Sequence, residues 1–438
     1  MQINGREAAL LALERCRREG AWSGESIDGI IRKYSLERRE AALASRLCLG
    51  VLQNSTCLDY YIDFYCRSGK LEPKLRDILR LGSYQLIYMD KIPRSAAVNE
   101  SVSLCKKLGY SRASGLVNAV LRRISENADL LPEIPGKGTA SYLSIKYSHP
   151  EWLAMRLMYE KGYDFTEAFF RENNRESRLF IQVNRLKIST EGYKKLLQEA
   201  DIDYSDCKWP DGCLELSGGV INRLPGYEDG LFYVQDRAAR TAAEIAGACE
   251  GMKVLDACAA PGGKSFASAV RMKNSGRILS CDIHEKKLGL IDAGARRLGI
   301  DIIETAEKNA AEFDPALKDG FDLVIADVPC SGLGVIGKKP EIRQKKEADI
   351  VGLPSIQKKI LNNVSEYVRP GGVLLYSTCT VLKSENQDIA EDFLCKHGNF
   401  VPEDYTAGEI SSEKGMYTFW PNTDFCDGFF AARMRRIK

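Results

Sequence analysis

The chain has 438 residues, 14 cysteines and three histidines, and its 62 Lys+Arg against 60 Asp+Glu leave a formal net charge of only +2. This length is too great for one ordinary hydrophobic core, so two or three domains are expected. No apolar run approaches the roughly 20 residues that cross a bilayer, and the N-terminus lacks the continuous apolar stretch of a signal peptide. The sequence therefore predicts a soluble cytoplasmic protein without a membrane partner. No two cysteines have the Cys-x-x-Cys spacing of a zinc site, so no metal is expected.

The small net charge hides an uneven distribution. Residues 1–124 hold 21 Lys+Arg and 13 Asp+Glu, a difference of +8, whereas the remainder holds 41 and 47, a difference of −6. A basic first segment is typical of a domain that contacts a polyanion. It is equally typical of a solvated helical surface, and charge alone does not decide between the two.

The first 140 residues predict a helical domain followed by a linker. Apolar residues recur at helical spacing through residues 1–124, for example at Leu43, Leu47 and Val51. Residues 125–140 hold two prolines and two glycines and predict a linker. Residues 141–235 mix helical stretches with the strand candidate IQVNRLKIS, which indicates a small α+β connecting subdomain.

Residues 236–438 predict an α/β domain. The short apolar runs MKVLDAC, GRILSCDI, FDLVIADVP and GGVLLYSTC are each followed by a polar turn and a helical stretch. This alternation is typical of a largely parallel sheet with helices on both faces. Ligands bind such sheets at the carboxyl ends of the strands, so catalytic and cofactor-binding residues are expected there.

The turn after the first of these strands is a candidate ligand loop. It follows Asp256 and contains Gly262 and Gly263, which let the backbone approach a ligand, and it leads into a helix whose first N–H groups are unpaired. Its spacing matches neither a Walker loop nor G-x-G-x-x-G, and a plain strand-to-helix turn is the alternative. Asp282, at the end of the next strand, suits two ribose hydroxyls or the cap of the helix that begins at Glu285.

Two cysteines follow two further strands of the predicted sheet. Cys330 lies in Asp327-Val-Pro-Cys-Ser-Gly, and Cys379 lies in Ser-Thr-Cys-Thr. Most cysteines are buried core residues, but two thiols at the ligand edge of one sheet favour covalent catalysis. A thiolate that adds to C6 of cytosine makes C5 nucleophilic, and a second, acid/base group must then remove the C5 proton so that the thiolate can be eliminated. A carboxylic acid such as Asp327 would assist the addition by a proton or hydrogen bond at N3. The spacing alone allows either cysteine to attack.

The motifs DACAAPGGKS, DVPCSGLG, YSTCTVLKSEN and the terminal Asp427-Gly428-Phe429-Phe430 make residues 140–438 similar to the RNA 5-methylcytosine methyltransferase family of the NOL/NOP/Sun type. In the first domain, Ala97-Val98-Asn99-Glu100 and the phrase VNAVLRR resemble the NusB-type helical RNA-binding domain. The resemblance implies an all-α NusB-like domain over 1–124 and a Rossmann-like class I methyltransferase domain over 236–438. It further implies S-adenosylmethionine as cofactor, C5 of a cytidine in 16S ribosomal RNA as substrate, a monomer, and no DNA partner.

The resemblance also implies residue roles. Cys379 would attack C6, Cys330 would assist release of the methylated base, and Asp327 would lie between cofactor and base. Residues expected at the cofactor are Cys258, Ala259, Ala260, Pro261, Gly262, Gly263, Lys264, Asp282, Asn309 and Asp327. Asn309 departs from the family pattern, because an Asp usually stands in this slot near the adenine.

Three alternatives make different demands on the sequence. A non-catalytic RNA-binding protein would not need two strand-end cysteines beside a cofactor loop. An adenine amino-methyltransferase usually carries Asn/Asp-Pro-Pro-aromatic where this chain has Asp327-Val-Pro-Cys. A DNA cytosine methyltransferase places its nucleophile in a Pro-Cys and lacks the Thr-Cys that this chain has at the next strand, Thr378-Cys379. The basic run Lys338–Arg343 has two interpretations of equal weight, an RNA phosphate site or a solvated charge run.

Overall fold

The computed structural model describes residues 3–66, 69, 71–218 and 220–438. The backbone forms two compact units, which we call the helical unit (Met1–Arg175 with Ile336–Glu347) and the sheet unit (Glu176–Val335 with Ala348–Lys438). The sequence patterns predicted domain limits at residues 124, 140 and 235, whereas the compact units part at Arg175. None of the described helices is long and apolar enough to span a membrane.

In the part of the chain that the structure describes, the helical unit begins with ten α-helices that pack their apolar faces on one another. Their bounds are α1 Gly5–Glu19, α2 Ser23–Tyr34, α3 Arg38–Gln53, α4 Ser55–Tyr65, α5 Pro73–Tyr88, α6 Arg94–Lys107, α7 Ser114–Glu126, α8 Ala140–Tyr147, α9 Glu151–Lys161 and α10 Tyr163–Asn173. Local sequence explains their ends: Asn4 and Glu7 form a capping box at the start of α1, and Gly20 ends it in the left-handed conformation. Helices α3 and α5 approach so closely that a Cβ at Gly50 would lie 2.0 Å from the Tyr84 ring.

Residues 336–347 contribute a short 3-10 helix, Pro340–Gln344, to the helical unit. The Arg343 side chain is buried there, with only 6% of the residue exposed. Its guanidinium donates to the carbonyl oxygens of Gln53 at 3.0 Å, Tyr147 at 2.7 Å and Asn173 at 3.1 Å. Both interpretations of the Lys338–Arg343 run are therefore wrong for Arg343, which neither faces phosphate nor lies in solvent, because helix-end carbonyls draw it inside.

The remainder of that run is also engaged within the helical unit. The ammonium of Lys339 lies over the Trp22 ring, 4.5 Å from its centre. One carboxylate oxygen of Glu341 accepts the Ser23 hydroxyl at 2.6 Å, and the other accepts the Ser23 backbone N–H at 3.3 Å. The segment is thus held by a cation–π contact, a helix-start contact and a buried guanidinium.

The sheet unit begins with a small antiparallel sheet in the order β2-β3-β1-β4, which carries helix α11 Thr190–Glu199. Its strands are β1 Leu179–Val183, β2 Tyr204–Asp206, β3 Cys213–Leu216 and β4 Phe232–Val234. Tyr193 and Leu197 of α11 are fully buried with Ile181 and Phe232 in one apolar cluster. This α+β piece contains the strand predicted within IQVNRLKIS.

The large sheet has the order β10-β14-β9-β8-β5-β6-β7, with β13 paired to β14. Its strands are β5 Lys253–Asp256, β6 Arg277–Asp282, β7 Ile303–Glu307, β8 Phe321–Asp327, β9 Val368–Thr378, β10 Phe400–Pro402, β13 Met416–Phe419 and β14 Phe429–Arg436, with β11 Thr406–Ala407 and β12 Ile410–Ser411 as a separate pair. Strands β9, β8, β5, β6 and β7 are parallel, and β14 runs antiparallel to β9. The predicted, largely parallel sheet is confirmed.

Helices cover both faces of this sheet. They are α12 Arg237–Ala246, α13 Gly263–Arg271, α14 Glu285–Leu298, α15 Leu353–Ser365, α16 Gln387–Lys396 and α17 Pro421–Asp424. Alternation along β8 explains the two layers, because Leu323 and Ile325 join the cluster with α12, α13 and α14, whereas Val324 joins the cluster with α15 and α16. Short loops after β5, β6, β8 and β9 therefore meet at one edge.

Candidate active site

The loop after β5 bends sharply before α13. Gly262 has φ of +108°, and a Cβ there would lie 2.6 Å from the Phe266 ring, so only glycine fits this position without strain. The Ala259 N–H donates to the carbonyl of Cys281 at 2.7 Å, which fixes the loop against the end of β6. The predicted loop thus brings small residues and the start of α13 to the carboxyl edge of the sheet.

Asp256, at the end of β5, is a buried carboxyl with an incomplete set of partners. It is 1% exposed, and its Oδ2 accepts the Ser265 hydroxyl at 2.7 Å. No partner is found for Oδ1 among the described residues. Burial raises the pKa of Asp256 to about 6, with the nearby charges of Asp327 and Asp282 adding to the rise. A polar atom buried without a partner beside a glycine loop marks a place for a ligand donor.

Lys264 and Asp327 form an ion pair at the same edge. Lys264 is 8% exposed, and its Nζ lies 2.5 Å from Asp327 Oδ2 and 4.9 Å from the centre of the Phe429 ring. The other oxygen of Asp327 accepts the Ser377 hydroxyl at 2.8 Å. Register explains this last bond, because Asp327 and Ser377 are direct partners in the parallel pair β8 and β9. Sequence reasoning missed Ser377.

The two predicted cysteines meet. Cys330 and Cys379 follow the ends of β8 and β9, and their sulfur atoms lie 3.1 Å apart. The hydrogen bond with Cys379, burial and the negative charges of Cys379 and Glu385 raise the pKa of the Cys330 thiol. The Gly334 N–H donates to the carbonyl of Cys379 at 3.0 Å and ties the two loops together. Two residues 49 positions apart in the sequence thus form one hydrogen-bonded pair of thiols.

A buried polar network underlies the two thiols. Ser331 and Thr380, the residues directly after the two cysteines, are fully buried, and their hydroxyl oxygens lie 2.7 Å apart. Glu385 accepts the Ser331 backbone N–H at 2.9 Å and the Gln357 amide at 2.9 Å. Glu385 lies inside the motif YSTCTVLKSEN, but the sequence analysis predicts no role for it. An acidic residue six positions after a strand-end cysteine is the signal that could have identified it.

The predicted ribose and adenine residues lie along the same edge, toward β7. Asp282 is 9% exposed and its Oδ1 accepts the His284 N–H at 3.0 Å. The side chain of Asn309 is engaged in its own loop, because its oxygen accepts the Ala311 N–H at 3.1 Å and its nitrogen donates to Glu312 at 2.7 Å. Asn309 also lines a cavity of about 260 Å³ together with Leu255 and other residues. The roles predicted for Asp282 and Asn309 stay predictions.

Motifs far apart in the sequence converge beside the site. The Oδ1 atom of Asp236, just before α12, accepts the N–H of Asp427 at 3.1 Å, so the start of α12 adjoins the terminal motif Asp427–Phe430. The next residues of the terminal phrase bring Phe429 over Lys264. Cys258 faces the carboxyls of this edge, and burial raises the pKa of its thiol, so it is a poor candidate for a thiolate.

Three family models match the chain. One described as "16S rRNA methyltransferase RsmB/F" matches residues 246–435, the NusB family model matches residues 3–126, and a "Methyltr_RsmF/B-like, ferredoxin-like domain" matches residues 149–221. The resemblances predicted from the sequence motifs are confirmed.

Full-length relatives agree with these matches. A Bacillus subtilis protein named "Probable ribosomal RNA small subunit methyltransferase B" is 32% identical over 98% of each chain, and "Ribosomal RNA small subunit methyltransferase B" of Citrobacter koseri is 30% identical over 98% of each chain. Among solved structures, the crystal structure of PH0851 has a TM-score of 0.83 at 26% identity over 100% of each chain. The structure of NSun6 from Pyrococcus horikoshii with SFG has a TM-score of 0.59 at 19% identity, covering 69% of this chain and 98% of that one, and shares the fold.

Proposed function

Because the chain belongs to the RsmB/F family of 16S rRNA methyltransferases, we propose that it methylates C5 of a cytidine in 16S ribosomal RNA through a covalent adduct between Cys379 and C6. Its methyl donor is S-adenosylmethionine, as in this class of methyltransferases. The observation that carries the proposal is the pair of sulfur atoms 3.1 Å apart at the ends of β8 and β9. The proposal includes a monomeric, cytoplasmic enzyme without a DNA partner.

The residues at the β5 edge fit the cofactor. The glycine at position 262 leaves the loop open, the Oδ1 atom of Asp256 lacks a partner among the described residues, and Asp282 ends the neighbouring strand. We assign the loop from Cys258 to Lys264, with Asp282, Asn309 and Asp327, to the cofactor. When bound, S-adenosylmethionine supplies an electrophilic methyl group.

The two thiols divide the covalent chemistry. The Cys379 thiolate forms the S–C6 bond, which moves the C5=C6 electron pair to C5, where the methyl group is accepted. Release requires that water removes the C5 proton, that the C5=C6 double bond re-forms and that the S–C6 bond breaks. Cys330, 3.1 Å from the departing sulfur, donates its proton to that sulfur as the S–C6 bond breaks and recovers a proton from solvent.

Asp327 and Lys264 stabilise the base while Cys379 adds to it. Addition to C6 places electron density on the ring, and a proton at N3 offsets that charge. Asp327, held by Lys264 and Ser377, is the carboxyl we assign to hydrogen-bond N3. Lys264 holds that carboxyl in place, because its Nζ lies 2.5 Å from Asp327 Oδ2.

Single-cysteine variants test the mechanism. Cys379→Ala should abolish methylation of extracted 16S ribosomal RNA, mapped by bisulfite sequencing, while binding of S-adenosylmethionine persists. Cys330→Ala should accumulate a protein–RNA adduct that migrates slowly on a denaturing gel. Cys395→Ala, which removes an exposed thiol on α16, is the matched control and should behave as the native enzyme. Methylation by Cys379→Ala would refute the covalent mechanism with Cys379 as nucleophile.

The helical unit supplies the RNA contacts in this proposal. Arg38 and Arg39 at the start of α3 are exposed, as are Arg122 and Arg123 near the end of α7. Phosphate contacts release counterions, so replacing Arg38 and Arg39 by Ala should lower the salt dependence of RNA binding by about 1.5 in the logarithmic slope. The measurement is filter binding across salt concentrations, and an unchanged slope for both arginine pairs would remove them from the interface.

A further inference from the structure

Glu385 is a buried carboxylate without a cation. It ends the 3-10 helix Lys383–Glu385, is 1% exposed, and forms no ion pair with a Lys, Arg or His among the residues that the structure describes. The neighbouring Lys383 contacts Asp388 instead. A buried charge is costly unless its hydrogen bonds are complete, so its partners indicate what it is for.

Those partners belong to the two cysteine loops. Oε2 accepts the N–H of Ser331 at 2.9 Å, one peptide unit from Cys330, and also the amide of Gln357 at 2.9 Å. That same amide donates to the carbonyl of Pro329 at 3.0 Å, on the other side of Cys330. The Cys330 loop is therefore fixed to Glu385 before and after the thiol.

The contact with the Cys379 loop is weaker. Oε1 lies 3.5 Å from the hydroxyl of Thr380, which is in turn 2.7 Å from the hydroxyl of Ser331. Among the contacts that the structure describes, the carboxylate is bound to the backbone of the Cys330 loop, whereas it reaches the Cys379 loop through the side chain of Thr380. The two thiols, symmetric in their strand positions, are unequal toward this charge.

Two further groups lie near the thiol pair. The hydroxyl of Tyr376 donates to the backbone carbonyl of Glu385 at 2.6 Å, and the charge of Asp327 is paired with Lys264. The nearby charge of Asp327 is thereby offset, whereas that of Glu385 is not. A negative charge so placed opposes a second one on the adjacent sulfur, and it contributes to the raised pKa of Cys330.

We propose that Glu385 is a positioning residue that assigns the roles of the two thiols: its carboxylate holds the Cys330 loop and keeps the proton of the pair on Cys330, so that Cys379 is the sulfur that ionises and attacks. The inference rests on the proposed function for the meaning of "attack". It adds the reason why one of two similar cysteines is the nucleophile. The proton retained on Cys330 is also the one needed by the departing sulfur 3.1 Å away.

The first test needs no substitution. Iodoacetamide alkylates thiolates, so the alkylation rate of each cysteine, read by peptide mass spectrometry from pH 6 to 10, reports its ionised fraction. In the native enzyme without RNA, Cys379 should be alkylated at lower pH than Cys330. Equal profiles, or Cys330 reacting at lower pH, would overturn the proposal.

The second test removes the charge and keeps the shape. In Glu385→Gln, the side-chain oxygen still accepts from Ser331 and Gln357, and the amide nitrogen reaches Thr380. The ratio of Cys379 to Cys330 alkylation at pH 8 should fall about tenfold, because the pKa of Cys330 falls once the charge of Glu385 is removed. A ratio unchanged in a folded variant would reduce Glu385 to a purely structural role.

Asp388→Asn is the matched control, since it removes a half-exposed carboxylate three residues away that is already paired with Lys383. Its alkylation ratio should equal that of the native enzyme, and a fall like that of Glu385→Gln would contradict a specific role for Glu385. If Glu385→Gln does not fold, the native pH profiles alone decide. These readouts need no methylation, so they can succeed or fail independently of the Cys379→Ala experiment.

Discussion

Among the described residues, each unit of the molecule holds a buried side chain, Arg343 or Glu385, that can carry a charge and forms no ion pair. In the helical unit, Arg343 donates to carbonyl oxygens at the last residues of α3, α8 and α10. In the sheet unit, Glu385 accepts from a backbone N–H, an amide and a hydroxyl. Among the described residues neither forms an ion pair, so in both cases dipoles take the place of a counter-ion.

The comparison teaches that the donors and acceptors decide what a buried charge does. The partners of Arg343 are helix ends, whose partial negative charges favour a cation and which are brought together by it. Burial lowers the pKa of Arg343 to about 9, so the guanidinium remains charged at neutral pH. The partners of Glu385 are residues next to reactive sulfur atoms. Arg343 thus stabilises the packing of three helix ends, whereas Glu385 acts on the loops that carry the two reactive thiols.

The largest expected effect is the loss of Arg343. Arg343→Met leaves three buried carbonyls without a donor and should lower the free energy of unfolding of the helical unit by about 3 kcal/mol. Arg343→Lys keeps the cation but loses the planar fork and should lose about half as much. Urea denaturation followed by far-ultraviolet circular dichroism measures both. A loss under 1 kcal/mol for Arg343→Met would show that water replaces the guanidinium.

Removing the Glu385 side chain should cost less, because part of its hydrogen bonding is replaceable. Glu385→Ala removes the acceptor of the Ser331 N–H and one of the two acceptors of the Gln357 amide, and it should destabilise the sheet unit by about 2 kcal/mol. Glu385→Gln should stay within about 1 kcal/mol of the native protein, since it retains the acceptor. Urea denaturation of both variants distinguishes the effect of the lost hydrogen bonds from that of the lost charge. If Glu385→Ala and Glu385→Gln lost the same free energy of unfolding, the charge itself would stabilise the fold.

Acidification should weaken the helical unit through His149. The residue is 1% exposed, and burial, with the nearby charge of Arg343, holds its pKa well below 6.5. The unfolded chain takes up a proton near pH 6.5 that the folded chain refuses, so stability is lost as pH falls. From pH 7.5 to 5.5 the loss should be about 1.4 kcal/mol. His149→Gln should abolish this pH dependence in denaturation experiments, and its persistence would assign it to another group.

The same change of pH should have a small, opposite effect on the sheet unit. Burial raises the pKa of Asp256 to about 6, above its unfolded value of 3.8, so the folded chain binds the proton more tightly. From pH 7.5 to 5.5 the sheet unit should gain about 0.8 kcal/mol. Hydrogen exchange of strand β5 and its neighbours measures this, with Asp256→Asn as the control that shows no gain. A loss in the native protein and the variant alike would exclude Asp256 as the source.

The sheet and the two thiols were predictable, whereas the two buried charges were not. The sequence shows β5, β6, β8 and β9 as short apolar runs that end in polar turns. In a parallel sheet the carboxyl ends of such strands lie at the same edge. That geometry was enough to place Cys330 near Cys379. The 3.1 Å distance between the two sulfur atoms, and the unequal contacts of Glu385 with the two cysteine loops, depend on side chains of α15 and of the loop after β9. No local sequence pattern predicts those contacts.

Arg343 shows the same limit more sharply. Its neighbours in sequence are lysines and glutamates, so every local signal indicates a solvated run. Its burial follows from three helix ends that are far away in the chain and meet only in the folded unit. Asn309 is a similar case. The sequence predicts that its side chain contacts the cofactor, whereas in the structure the side chain forms hydrogen bonds within its own loop.

Because residues 336–347 complete the helical unit, that unit is discontinuous in the chain. During synthesis, the carbonyls of Gln53, Tyr147 and Asn173 emerge from the ribosome long before the Arg343 guanidinium, from which they accept hydrogen bonds. Arg343 follows Asn173 by 170 residues, which takes roughly ten to thirty seconds of translation. Until then their closing donor is missing, and the helical unit reaches its final stability only when most of the sheet unit's strands already exist.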